Sequence, residues 1–149
     1  MIKILFVCHG NICRSPMAEF LFKDLVLKKN VDHLFYIESA ATSSEELGNG
    51  VHYGTRKILN SLGIDCSKKK ARKIRISDYE EFDYIIGMDE YNIRNMRLFF
   101  NKSDKIYSLL EFAGIQRGIA DPWYTGNFND TYNDIMLGLE ALYTYLIKK

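Results

Sequence analysis

A parallel α/β sheet with helices on both faces is the fold this sequence predicts, and three observations predict it. The first is an unbroken apolar run, Ile4-Leu5-Phe6-Val7, which suits a strand buried on both faces. The second is alternation: strand-like apolar segments are followed in turn by segments with apolar residues at helical spacing, the order that builds a parallel sheet. The third is size, since 149 residues of ordinary apolar fraction make one domain, 1-149, with a substantial core.

The elements follow in order. After the first strand, Met17, Phe20, Leu21 and Leu25 recur at helical spacing to about Lys29, with Ser15 as expected N-cap and Pro16 as first helical residue. Leu34 to Glu38 reads as the second strand, and Ser39 to Ser44 as a small-residue loop continuing to Gly50. Val51, Thr55, Ile58, Leu59 and Leu62 give a helical face with Gly63 as its stop. Ala71 to Ile76 fits either a short strand or an extended connection. Phe82 to Met88 is a central-strand candidate, and a helix with Ile93, Met96, Phe99 and Phe100 on one side starts near Glu90. Lys105 to Leu109 is a fourth strand, Ala113 to Asn129 mostly loop, and Asp130 a cap for a last helix carrying Ile135, Leu139, Leu142 and Leu146. In such sheets the site lies beyond the carboxyl ends of the strands, where Cys8 and Ser39 fall.

Between first strand and first helix lies Cys8-His9-Gly10-Asn11-Ile12-Cys13-Arg14. A helix N-terminus carries unsatisfied N–H groups and the positive end of the dipole, so it attracts an anion. Gly10 and Asn11 tolerate positive φ, which lets the loop curl into a nest of inward N–H groups. Arg14 adds a planar fork that matches two phosphate oxygens. In that setting a thiol pKa falls from about 8.5 towards roughly 3.5–7.5, so Cys8 is expected as a thiolate facing a cradled phosphate. A zinc site is not expected, because Cys66, His33 and His52 offer no second ligand pair at zinc spacing.

The run Val7 to Pro16, VCHGNICRSP, closely resembles the signature of the low-molecular-weight protein tyrosine phosphatases, and Asp121-Pro122-Trp123-Tyr124 resembles that family's general-acid loop. The resemblance covers nearly the whole chain. It implies a three-layer fold with a four-stranded parallel sheet in the order 2-1-3-4, and hydrolysis of phosphotyrosine through a phosphocysteine intermediate. Cys8 is then the nucleophile, and Arg14 the phosphate clamp, assisted by the loop residues His9, Gly10, Asn11, Ile12, Cys13 and Ser15. Asp121 is the general acid and then the base, which predicts a bell-shaped pH profile with a mildly acidic optimum. The Ser15 hydroxyl resembles the residue that hydrogen-bonds the thiolate, while Asn11 and Ser39 resemble residues that hold the loop in shape. Cys13 resembles the loop cysteine that pairs with the nucleophile under oxidation.

Two departures stand out. The family commonly has an aromatic wall opposite Trp123 and Tyr124; here Glu45 takes that place, which favours basic residues around the phosphotyrosine. A histidine often precedes the Ala-Arg pair by two residues; here Lys69 stands there, in a stretch that reads as solvated and basic. His9 is expected at the entrance, without a catalytic role.

Other classes fit less well. An arsenate reductase needs two further relay cysteines, and Cys66 stands alone. Phosphoarginine phosphatases of the family typically carry Thr where this chain has Ile12. A non-catalytic phosphate-binding module would lack the nucleophile or the acid. A net charge of +1 gives no reason for a nucleic-acid or membrane partner, and no apolar run approaches the ~20 residues of a membrane span. Met-Ile-Lys leading straight into a strand reads as no signal peptide, and an odd count of three cysteines suits the reducing cytoplasm. A monomer is expected, and no metal or cofactor, because Arg14 and the loop amides take the role that Mg²⁺ fills elsewhere.

Overall fold

The computed structural model describes residues 1–148. The chain runs β1 (Ile2–Cys8), α1 (Arg14–Lys28), β2 (Phe35–Ala41), α2 (Tyr53–Ser61), α3 (Asp78–Glu81), β3 (Tyr84–Gly87), α4 (Glu90–Phe100), β4 (Ile106–Ser108), α5 (Pro122–Thr125) and α6 (Phe128–Ile147). Short 3₁₀ turns cover Asp32–Leu34 and Leu109–Ala113. The four strands are parallel and ordered 2-1-3-4, as the resemblance implies.

The residue alternation of β1 divides the core in two. Ile4, Phe6 and Cys8 face Met17, Leu21 and Phe22 of α1, Leu59 of α2, and Ile135, Leu139 and Leu142 of α6. Leu5 and Val7 face the other layer, built from Ile74, Tyr79 and Phe82 together with Ile93, Met96 and Phe100 of α4. Residues 4 to 7 are wholly buried, and each such side chain contributes about 1.5–3 kcal/mol. β1 and β3 are the interior strands, and both are apolar on both faces: Ile86 of β3 joins the first layer and Ile85 the second.

Several local expectations are corrected. The second strand continues through Ser39 and Ala40 to Ala41, so Ser39 lies in the sheet opposite Phe6 rather than in a loop. Its small residues suit a strand end crowded by the phosphate-binding loop. Ala71 to Ile76 is an extended connection that touches the sheet through one bridge, Lys73 to Ala41. Asn127, not Asp130, caps α6: its side chain accepts from the Asp130 N–H. The single turn α3 escapes detection because four residues are too few to show a period. Gly63 follows α2 with φ +76°, the stop its sequence suggests. Among the described residues, no helix is long and apolar enough to cross a membrane.

At the sheet's carboxyl edge, β1 leads into the Cys8 loop and β3 into Met88-Asp89. Connections from these neighbouring strands leave towards opposite faces, which opens a crevice between them. Asp121 reaches the same crevice from the far end of the chain: the Ile119 N–H donates to the Met88 carbonyl (2.8 Å).

Candidate active site

The loop from Cys8 to Arg14 is held open from outside. The Thr42 N–H takes the Cys8 carbonyl (3.0 Å), the Ser43 N–H that of His9 (3.1 Å), and the His52 N–H that of Ile12 (2.8 Å). The buried Thr55 hydroxyl donates to the Cys13 carbonyl (3.1 Å). In a trans peptide the C=O and the following N–H point opposite ways. Carbonyls drawn outward therefore turn the amides of His9, Gly10, Cys13 and Arg14 inward, which makes the nest the sequence suggests. Asn11 supplies the left-handed turn at φ 59°. Gly10 does not share that conformation, contrary to expectation; a side chain there would press on Glu46, 3.3 Å from the position of a Cβ.

Cys8 sits at the floor, 4% exposed, with its sulfur 3.3 Å from the Asn11 N–H and 3.0 Å from the Ser15 hydroxyl. Ser15 is not the helix cap. The helix begins one residue earlier, at Arg14, with Cys13 in the capping place, and the Ser15 side chain is turned into the loop instead. Its orientation is set by a chain of polar groups. The Ser39 hydroxyl donates to Glu19 (2.5 Å) and so accepts from the Asn11 amide (2.9 Å). The other amide hydrogen goes to the Ser15 oxygen (2.8 Å), and the Asn11 carbonyl oxygen accepts from the Arg72 N–H (3.2 Å). With its acceptor side occupied, Ser15 has its proton left for the sulfur.

Lys69 belongs to this network, which corrects its reading as a solvated basic residue. Its side chain is 12% exposed, with Nζ donating to the Ser39 carbonyl (2.8 Å) and lying 3.3 Å from Glu19. Burial pulls its ammonium below the ordinary lysine value, and the Glu19 carboxylate opposes that shift. The signal lay in its place two residues before Ala-Arg; the triple-lysine context masked it.

Arg14, 4% exposed, is gripped at three points. Nη2 lies 2.8 Å from Asp89 and 3.3 Å from Asp121, and Nη1 donates to the Ile119 carbonyl (3.1 Å). Sequence reasoning missed Asp89. Its Oδ1 caps α4 at the Asn92 N–H (2.9 Å), an ordinary capping role, while the other oxygen takes the arginine. A capping carboxylate just past the central strand was the available signal.

Cys8 and Arg14 open into a cavity of about 820 Å³. Trp123 and Tyr124 form one wall, 64% and 85% exposed, so they frame the mouth rather than the floor. His9, Glu45 and Glu46 lie among the remaining lining, with His9 Nε2 3.0 Å from a Glu45 oxygen. Four carboxylates (Glu45, Glu46, Asp89, Asp121) line it against the single guanidinium of Arg14. Cys13 is buried in the loop at the cavity wall, its thiol pushed up to about 12, first by burial and then by the charge of Cys8.

A thiol on the floor of an amide nest, beside a buried guanidinium and a carboxylate, on a parallel α/β sheet, defines the cysteine-dependent phosphatases. Residues 3–149 match the family model described as low molecular weight phosphotyrosine protein phosphatase, and the chain belongs to that family. It is 40% identical to the low molecular weight protein-tyrosine-phosphatase YfkJ of Bacillus subtilis, across 100% of this chain and 98% of that protein. The crystal structure of YfkJ superposes with a TM-score of 0.94, covering 99% of this chain and 96% of the other. PtpA of Staphylococcus aureus is 35% identical over 99% of this chain and 96% of its own. The structure of SP-PTP from Streptococcus pyogenes, 42% identical, gives a TM-score of 0.88 over 98% of this chain and 93% of that one. The chain is thus a hydrolase, a cysteine-dependent protein tyrosine phosphatase whose substrates are phosphotyrosine proteins.

Proposed function

We propose that the 149 residues work as one catalytic domain in which Cys8, Arg14 and Asp121 carry the reaction. The observation that carries this reading is the convergence on one cavity of the Cys8 sulfur, the Arg14 fork and the Asp121 carboxylate, 3.3 Å from that fork. The Cys8 thiolate attacks phosphorus in line. The S–P bond forms, the ester P–O bond breaks, and Asp121 delivers its proton to the departing phenolic oxygen. The inward amides and Arg14 take the charge on the equatorial oxygens. Asp121, now ionised, removes a proton from water. The resulting oxygen attacks phosphorus, the S–P bond breaks, and the Ser15 hydroxyl steadies the leaving thiolate. These chemical steps use the protein's own groups, without metal or cofactor.

The mouth supports a finer reading. Glu45 and Glu46 favour lysine or arginine next to the phosphotyrosine, and the depth of the floor leaves the shorter phosphoserine out of reach. The proposal includes a monomer in the cytoplasm that does not engage nucleic acid or membrane, in keeping with a net charge of +1.

Phosphate release from matched phosphotyrosine, phosphoserine and phosphoarginine peptides, in EDTA and with basic or acidic flanks, tests this. The expected result is metal-independent hydrolysis of phosphotyrosine, faster with basic flanks, with a bell-shaped pH profile. Asp121→Asn slows it by about 10²–10⁴-fold. Preference for phosphoarginine would overturn the substrate assignment, and an unimpaired Asp121→Asn enzyme the acid assignment.

Cys13 is proposed as the oxidative partner of Cys8. Peroxide converts the Cys8 thiolate to a sulfenic acid; the Cys13 sulfur displaces its oxygen as water, and a disulfide forms. Because its pKa lies near 12, Cys13 stays a neutral thiol at pH 7, as does Cys66, raised by burial. Iodoacetamide at pH 7 is therefore expected to label Cys8 alone. After mild peroxide, peptide mapping should find that label lost and a Cys8–Cys13 link in its place; a surviving label with no link would sink the redox role.

A further inference from the structure

His52 stands between the nucleophile's loop and the acid's loop. Its backbone N–H holds the Ile12 carbonyl (2.8 Å), and its Nδ1 caps α2 by accepting from the Gly54 N–H (3.2 Å). Its ring lies flat on Phe128 at the start of α6 (centroids 5.3 Å apart, planes 11° from parallel) and meets the Trp123 ring edge-on at 6.3 Å. Gly54 leaves the space for this stack, since a Cβ there would fall 2.4 Å from the Phe128 ring.

The acid loop needs such a support. Its root is fixed: the Ala120 N–H donates to Asp134 (2.9 Å), and the Ala120 carbonyl accepts from the Thr131 hydroxyl (2.7 Å). The hydrogen bonds of its tip close on the loop itself, Tyr124 N–H and Thr125 N–H to the Asp121 carbonyl and Gly126 N–H to that of Pro122. Asp121 is held between this tip and Arg14: its Oδ1 accepts the Trp123 backbone N–H (3.0 Å), and its other oxygen lies 3.3 Å from the guanidinium. A shift of Trp123 therefore turns the Asp121 carboxylate.

We propose that His52 is a positioning residue for the general acid: through Trp123 its ring sets the direction of Asp121, while its backbone sets the loop that holds Cys8. The proposal rests on reading Asp121 as the acid. Proton donation matters for a poor leaving group such as tyrosine and little for a strongly acidic phenol, so the two substrates separate aiming of the acid from general damage.

The experiment compares kcat/KM for a phosphotyrosine peptide and an activated aryl phosphate in wild type, His52→Asn, His52→Phe, Asp121→Asn and the Asp121→Asn/His52→Asn double variant. Asparagine keeps an oxygen to accept from Gly54 but lacks the ring; phenylalanine keeps a ring but lacks the acceptor. In His52→Asn the peptide rate should fall about tenfold, part of the general-acid contribution, with the activated ester within about twofold. His52→Phe should stay near wild type in that ratio, and the double variant should be no slower on the peptide than Asp121→Asn alone. Trp123 is the only tryptophan, so its emission should shift in His52→Asn and not in His52→Phe. Should His52→Asn fail to fold, Phe128→Leu, which removes the ring the imidazole lies on and does not line the cavity, should give the same selective loss in kcat. Equal losses on both substrates, no loss on either, or a further loss in the double variant would overturn the link. An Asp121→Asn enzyme that treats both substrates as wild type does would instead remove the acid reading beneath it.

Discussion

Cys8→Ser is expected to abolish phosphotyrosine hydrolysis while inorganic phosphate still binds. A serine hydroxyl attacks only when a base removes its proton. The groups bonded to the sulfur, the Asn11 N–H and the Ser15 hydroxyl oriented by Asn11, are donors, and neither is a base that could take a serine proton. On the proposed reading of Cys8 as nucleophile, serine leaves the site without an attacking group. The nest is untouched, because its carbonyls are held from outside by Thr42, Ser43, His52 and Thr55. Steady-state assay with a phosphotyrosine peptide should give background, and calorimetric titration with phosphate an affinity close to wild type. Substantial remaining turnover would show that another group attacks phosphorus.

Arg14→Lys is the second large effect, expected to lower kcat/KM by about 10³–10⁵, the range of charge-stabilising arginines in phosphoryl transfer. Arg14 is aimed by three acceptors, Asp89, Asp121 and the Ile119 carbonyl, and lines the cavity. A lysine ammonium is a single point on a flexible stem and cannot satisfy these acceptors while gripping two phosphoryl oxygens. The loss should fall more on kcat than on KM, because charge gathers on those oxygens in the transition state. Stopped-flow or steady-state rates on the same peptide decide it, and a loss under about tenfold would show that the amides alone carry the charge.

What could be seen in the sequence follows from how local each cause is. The apolar run of β1, the periods of α1, α4 and α6, and the stop at Gly63 depend on neighbours in the chain, and they were legible. So was the grouping of Cys8, Asn11 and Arg14, because one loop holds them. The sheet order and Asp121 came through resemblance, not periodicity. Ser15 misled because its N-cap propensity is real but loses to Asn11, whose amide draws the hydroxyl inward. Asp89 and Lys69 stayed hidden for a related reason. One looks like a helix cap and the other like a charged surface, and only the fold brings Arg14 to the first and Glu19 to the second.

The outside grip on the phosphate-binding loop also bears on how the enzyme comes into being. The bond from Thr55 to Cys13 spans 42 residues, that from Arg72 to Asn11 spans 61, and that from Arg14 to Ile119 spans 105. The reactive segment leaves the ribosome before the partners that shape it, and parallel strands are slow to close such distances. Activity should therefore appear only once the chain has been made through Ile119 and Asp121, and a nascent or clipped fragment that carries the full signature without them should be inert. The long-range tethers act as a safeguard, keeping the nucleophile unformed until its acid has been made.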